Sequence, residues 1–248
     1  MEQYHGKTAV ILGGTSGIGL ATAKMLVDGG ARVLVTGRSQ AALDSTTADL
    51  GERALVVASD AGSLSDIDAL AARVKDAFGA FDFLFVNAGI GVFAPFAQTT
   101  EAMYDEVFNV NTRGPFFAVQ RLSPLISLGG SIVFTTAVSN AKGMPMLAAA
   151  GATKAATRSF VRTFAAELLG QGIRVNAVSP GPIDTPSWQK SFPDGDMASQ
   201  LTGQMSEANP MKRLGTSDEV AKAVLFLAFD ATFTTGAELP VDGGLSQL

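Results

Sequence analysis

This chain predicts a single α/β domain, a parallel sheet covered by helices on both faces, on three observations. Short apolar runs alternate with segments of helical periodicity along the whole length. The runs are apolar on both faces, as strands are when helices bury a parallel sheet from two sides. The first run breaks into glycines that lead directly into a helix. With 248 residues, 47% of them hydrophobic, the chain can bury a sizeable core, and one domain spanning 1–248 is expected.

The elements follow in order. Val10-Ile11-Leu12 ends a first strand, and Gly13-Gly14-Thr15-Ser16-Gly17-Ile18-Gly19 turns it into a helix that continues from Leu20 to Val27. Gly13 permits the tight turn, Gly17 lets the backbone approach a ligand, and Gly19 lets the helix pack closely on the strand. The free N–H groups of that helix start suit an anion, a pyrophosphate above all. The G-x-x-x-G-x-G spacing departs from the G-x-G-x-x-G dinucleotide fingerprint, so an ordinary strand-to-helix turn is the competing reading. Ala31 to Thr36 is a second strand and Gln40 to Leu50 a helix. Arg53 to Ala58 is a third strand, Leu64 to Phe78 a helix, and Phe81 to Val86 a fourth strand. Glu101 to Gln120 reads as one helix, Ser131 to Thr136 as a fifth strand, Ala148 to Leu169 as a long helix, and Ile173 to Val178 as a sixth strand. Ser217 to Phe229 is a further helix and Glu238 to Val241 a seventh, short strand. No repeat or low-complexity segment interrupts the series.

Composition removes several classes of function. A net charge of −5, a pI near 4.9 and the lack of any lysine or arginine run argue against nucleic acid or an anionic membrane as partner. There is no cysteine, hence no disulfide and no thiol chemistry. His5 is the only histidine, which excludes a histidine-dependent triad and a cysteine/histidine metal site; no metal is expected. The first residues lack a basic stretch followed by an apolar one, and no later apolar run reaches membrane-spanning length, so a cytoplasmic location is expected.

The end of the second strand bears on the cofactor. An acidic residue about twenty positions past the glycine turn would hold a ribose 2′-hydroxyl, whereas an arginine there accommodates a 2′-phosphate. The chain has Thr36-Gly37-Arg38-Ser39, which points to NADP(H), although a solvated surface arginine is the plainer alternative. Asp60, in Ser59-Asp60-Ala61, either hydrogen-bonds an adenine amino group or caps the following turn.

Beyond the fourth strand the motifs become specific. Gly13-x-x-x-Gly17-x-Gly19, Asn87-Ala88-Gly89, Asn109-Val110-Asn111, Lys154 within Thr153-Lys154-Ala155-Ala156, Pro180-Gly181-Pro182-Ile183 and Val241-Asp242-Gly243-Gly244 occur in order and span nearly the whole chain. Together they resemble the short-chain dehydrogenase/reductase family. The resemblance implies a doubly wound Rossmann domain, a mostly parallel seven-stranded sheet, a homotetramer, and hydride transfer between a nicotinamide and an alcohol or carbonyl. It carries cofactor contacts over to Gly13, Thr15, Ser16, Gly17, Ile18 and Gly19, to Arg38 and Ser39, to Asp60 and Ala61, to Asn87, Ala88 and Gly89, to Lys154, and to Pro180, Gly181 and Ile183.

The family's chemistry uses an asparagine, a serine, a tyrosine and a lysine four residues after the tyrosine. One helical turn puts residues i and i+4 on one face, so the ammonium can lower the phenol pKa while the phenol donates a proton. Asn111 and Lys154 match. The other two positions do not: Ala150 stands where the family has tyrosine, and Ala137 where it has serine. Tyr4 precedes the first strand and Tyr104 lies in the helix before Asn111, so neither is a substitute. Side chains alternate along a strand, so Thr136 is expected to face away from Ala137, and Ser139 to share its direction.

General acid–base groups contribute roughly 10²–10⁴-fold each, so little turnover is expected of the chain as written, while cofactor binding should survive. An insertion at about 184–212 is expected to be an irregular lid, in which Trp188, Phe192, Met197 and Met205 join Met144, Met146 and Leu147 around a hydrophobic carbonyl or alcohol. The same side chains serve equally to pack the lid on the domain. Two readings remain: an inactivated oxidoreductase, or a non-catalytic NADP(H)-binding protein acting through a ligand or partner. A pocket open at Ala137 and Ala150 favours the first, and one filled by Met144, Met146 or Leu147 the second.

Overall fold

The protein is described by a computed structural model over residues 2–186 and 195–248, with only the backbone described at 195–198. β1 (Thr8–Leu12) is the third strand of a seven-stranded sheet. It pairs on one side with β2 (Arg32–Gly37), beyond which lies β3 (Ala54–Ala58). On its other side come β4 (Phe81–Val86), β5 (Ile126–Thr135), β6 (Arg174–Pro180) and, at the edge, β9 (Glu238–Val241). Every pairing is parallel, so each connection crosses over through a helix. This is the α/β fold expected from the alternation of apolar runs and helices, doubly wound as the family resemblance implies.

The period of two along each strand divides the core. In β1, Val10 and Leu12 enter one core and Ala9 and Ile11 the other; in β4, Phe81, Leu84 and Val86 join the first while Phe83 and Phe85 join the second. The first core is closed by α3 (Leu64–Phe78), α5 (Gly114–Leu122) and α6 (Ala148–Leu168). The second is closed by α1 (Gly17–Asp28) and α8 (Ser217–Leu225). The four side chains Phe81, Phe83, Leu84 and Phe85 are fully buried, because both faces of a central strand are covered.

Four local expectations are corrected. The predicted helix 101–120 is α4 (Glu101–Phe108) and α5 joined by a π-helical turn, Asn109–Arg113, one extra residue in the ladder that propensity does not announce. β5 begins at Ile126, five residues early, because Gly129 and Gly130 mask its first half. β6 runs on to Pro180, which is tolerated because it ends the strand. The insertion is not irregular throughout: Gly195–Ala208 forms α7, whose glycines and hydroxyl residues hid the helical pattern. It is framed by a small parallel pair, β7 (Ile183–Asp184) with β8 (Gly215–Thr216), which the sequence reading lacks. Trp188 and Phe192 lie outside the described residues, as does the side chain of Met197. Among the described residues no helix is long and apolar enough to cross a membrane.

Candidate functional site

The strand order reverses at β1, whose neighbours β2 and β4 lead away in opposite directions. In open parallel sheets the crevice at the carboxyl ends beside such a reversal is where ligands bind. Two adjoining cavities of about 300 Å³ each lie there, sharing Ile18, Asn87, Gly89, Ile90 and Thr185.

The first cavity is built on the glycine turn. Gly13 has φ +75°, and a Cβ on it would stand 2.7 Å from the Ala88 Cα, so the residue must be glycine both for its conformation and for the approach of the β4 end. Its N–H donates to Thr36 Oγ1 at 3.1 Å, and the Gly14 N–H to the Thr36 carbonyl at 3.0 Å, which pins the turn to β2. Gly17, at φ +52°, opens α1. The cap residue Ser16 makes no side-chain bond to the helix start, so the first-turn N–H groups stay available toward the cavity. Gly19 does not line the cavity; a Cβ there would collide with the Gly13 carbonyl oxygen, so its role is the close packing of helix on turn.

Asn87 ties the floor together. Its Nδ2 donates to the Gly13 carbonyl at 2.8 Å and its Oδ1 accepts from Thr135 Oγ1 at 2.9 Å, linking the ends of β1, β4 and β5. At the far end of the cavity Arg38 is exposed on the rim beside Ser59, Asp60 and Ala61. Asp60 fulfils the turn-capping reading: its Oδ1 accepts from the Gly62 N–H at 2.9 Å, while its own N–H donates to Asp66 at 2.9 Å. Ser39 is the exposed cap of α2 (Gln40–Leu50) and stands outside the cavity wall.

The second cavity gathers the residues predicted for the chemistry. Asn111, Ala137, Ala150, Lys154, Pro180, Gly181 and Ile183 all line it. The carboxamide of Asn111 clamps one peptide, with Oδ1 accepting from the Ile90 N–H at 2.8 Å and Nδ2 donating to the Ile90 carbonyl at 2.9 Å. Lys154, part-buried, donates from Nζ to the Thr135 carbonyl at 3.0 Å. The protein packed around its amine disfavours the charged form and pushes the pKa from 10.5 down to about 8. Thr136 turns away as expected: its hydroxyl oxygen lies 2.9 Å from the Val178 carbonyl and 2.6 Å from Glu238, which share its single proton. Glu238 also accepts from Asn140 at 2.6 Å and pairs with Arg158 at 3.1 Å, so it braces the 138–140 turn from behind. Ser139 lines the cavity, and its hydroxyl makes no hydrogen bond with the described protein. Met144, Leu147 and Met205 form part of the wall. Met146 does not; at φ +67° it is exposed and only its carbonyl is engaged, by the Ala94 N–H. Tyr104 does not line this cavity; it is stacked on Phe108 at 4.3 Å between ring centres and lines a separate cavity with Ala148, Ala149 and Ala152.

A family model described as Enoyl-(Acyl carrier protein) reductase matches residues 13–246. The oxidoreductase asL5 of Sarocladium schorii is 39% identical over 251 residues, covering 100% of this chain and 99% of that protein. A solved short chain dehydrogenase/reductase family protein is 38% identical, with a TM-score of 0.88 over 99% of this chain and 100% of the other. The chain belongs to the short-chain dehydrogenase/reductase family. A further relative, 2,5-dichloro-2,5-cyclohexadiene-1,4-diol dehydrogenase of Sphingobium indicum, is 34% identical over the full length of both chains. A short chain oxidoreductase from Pseudomonas aeruginosa PAO1, 29% identical with a TM-score of 0.90 over 98% and 97% of the two chains, was solved with NADPH bound and is described as containing an atypical catalytic center.

Membership of these oxidoreductases, with the Rossmann fold, implies a nicotinamide cofactor, and the first cavity fits one. The left-handed glycines leave a cradle that a Cβ would fill, and the uncapped start of α1 offers N–H donors and a positive dipole end to a pyrophosphate. For a short-chain dehydrogenase/reductase, the residues that motif reasoning overlooked are Thr36, Gly37, Ser59, Ile90 and Thr185 in the first cavity and Phe93 and Val138 in the second. The signal for several of them was positional, since they stand at or just beyond the carboxyl ends of strands.

Proposed function

We propose that the protein is an NADP(H)-binding member of the family on an alcohol dehydrogenase/carbonyl reductase scaffold, whose proton-donating pair is replaced by Ala137 and Ala150. One observation carries this reading: both alanines share a wall with Lys154 in a cavity that stays open, about 300 Å³, and adjoins the glycine cradle. Met144 and Leu147 line that cavity without filling it, which favours an emptied catalytic site over a pocket rebuilt for binding alone. NADP(H) over NAD(H) is supported by Arg38 on the cavity rim, where a guanidinium meets a 2′-phosphate, with no carboxylate at the end of β2 to hold a free 2′-hydroxyl. The relative solved with NADPH supports the same choice.

The bound nicotinamide supplies or accepts the hydride. Lys154 holds a proton at Nζ, and on the family's pattern reaches the nicotinamide ribose. Asn111 fixes the Ile90 peptide and with it the loop between the two cavities. Neither alanine donates a proton to a developing alkoxide, so that charge would fall to Ser139 or to water. Phe93, Val138, Met144 and Leu147 favour a hydrophobic substrate, and the cyclic diol acted on by the Sphingobium relative supports alicyclic alcohols and ketones as the class. The described parts of the insertion at about 184–212, which bring Thr185 and Met205 to the cavity wall, serve as its lid. Assembly as a homotetramer rests on the family resemblance.

The test is NADPH oxidation with a panel of hydrophobic cyclic ketones, comparing the chain with its Ala137→Ser/Ala150→Tyr variant. Turnover by the variant, at least about 100-fold above the parent, is the expected result. If both bind NADPH and neither turns over, the reductase reading falls and a non-catalytic binding role replaces it.

A further inference from the structure

The second cavity contains a nucleophile as well as a proton carrier. Lys154 is the only ionisable side chain among the described residues that line it. Of the three donors an ammonium carries, one is used, in the bond to the Thr135 carbonyl, and the amine enters no ion pair among the described residues. Ala137, Val138, Ala150, Met144 and Leu147 share the cavity wall with it as apolar groups that cannot solvate a charge, alongside the polar Asn111, Thr135 and Ser139. A neutral amine here keeps one N–H on Thr135 and presents its lone pair to the cavity. With a pKa near 8, about a tenth of it is neutral at pH 7, against roughly 0.03% at the ordinary lysine value, a gain of about 300-fold in nucleophile.

We propose that in the cofactor-free protein the ε-amine of Lys154 captures hydrophobic aldehydes in this cavity as an imine. The Nζ lone pair attacks the carbonyl carbon, forming the C–N bond, and the carbonyl π pair moves to oxygen, which takes up a proton as the nitrogen loses one. The hydroxyl then leaves with a second proton as water while the C=N bond forms. Amine and aldehyde give imine and water, and no oxidant or reductant enters. Ser139, whose hydroxyl faces the same cavity without a protein partner, stands on the wall where that proton moves.

The experiment uses the full chain, freed of nicotinamide, with 6-methoxy-2-naphthaldehyde and sodium cyanoborohydride at pH 7, read by intact mass and peptide mapping. One adduct is expected, on the peptide carrying Lys154, formed at least tenfold faster than any other. Lys154→Arg should lose it. Ala150→Phe, which keeps the lysine but fills the wall beside it, should slow it at least tenfold, with circular dichroism verifying the fold of both variants. Adducts spread over surface lysines in the unaltered chain, or undiminished labelling in Ala150→Phe, would overturn the proposal. No nicotinamide is present and the readout is mass, so the outcome stands apart from whether the chain oxidises NADPH.

Discussion

Replacing Gly13 by alanine separates two costs that the turn imposes. The residue sits at φ +75°, and a left-handed conformation costs an L-residue about 1–2 kcal/mol. Alanine recovers about 0.4–1 kcal/mol of this by stiffening the unfolded chain. A new Cβ would also stand 2.7 Å from Ala88 Cα and 2.9 Å from Ala88 N, and these backbone atoms cannot swing aside as a side-chain tip does. Forcing a methyl group into such a space typically costs a further ~1–3 kcal/mol. Gly6 supplies the control, since it has φ +74° with nothing within 4 Å of its would-be Cβ. Gly6→Ala should therefore cost about 1 kcal/mol and Gly13→Ala about 2–4 kcal/mol in urea unfolding followed by circular dichroism. Because the displaced atoms belong to Ala88 on the cavity wall, Gly13→Ala should also weaken NADPH binding at least tenfold by fluorescence titration, and Gly6→Ala should not. Equal destabilisation of the two variants, within about 0.5 kcal/mol, would refute the close-approach argument.

Three further outcomes are expected. Arg38→Ala should weaken NADPH binding about 10–100-fold, the worth of a charge-assisted hydrogen bond, and change NADH affinity little; equal losses for both would remove the 2′-phosphate reading. Lys154 has a folded pKa near 8 and an unfolded one near 10.5, so between those values the unfolded chain binds more protons and stability rises with pH. Unfolding measured from pH 8 to 10 should show that rise in the parent, and Lys154→Met should flatten it. Glu238→Ala should cost about 1–3 kcal/mol, because the Thr136 hydroxyl and the Asn140 amide lose a shared acceptor, and it should loosen the turn that carries Ser139. A change within 0.5 kcal/mol would show that water replaces the carboxylate.

The strands were legible because burial on two faces leaves mostly apolar residues in them, as in Val33-Leu34-Val35 and Phe83-Leu84-Phe85. Their ends were less so. Pro180 closes β6 although proline is read as a breaker, and Gly129-Gly130 lie within β5 although a glycine pair reads as a loop, because pairing with a formed neighbour overrides local preference. Helix α7 was missed since Gly195 and Gly203 dilute its periodicity. At the site, glycines were readable because each answers a local backbone demand. Thr36 and Ser59 were not, because a hydroxyl at a strand end has the same local pattern whether or not the sheet reverses beside it. The bracing of the 138–140 turn by Glu238 depends on two segments about a hundred residues apart, and no local pattern encodes that meeting.

The hydrogen bonds of Asn87 have a bearing on the entropy of binding. One side chain holds the ends of three strands, through the Gly13 carbonyl on one side and the Thr135 hydroxyl on the other, and the next carbonyl of that chain of contacts, Thr135 O, holds Lys154. The platform beneath both cavities is thus cross-linked before any ligand arrives. A ligand settling on it has little main chain left to immobilise, and so keeps more of its contact energy as affinity. Asn87→Ala would return that freedom to the unliganded protein, and its loss of affinity should appear in calorimetry as a larger entropic penalty.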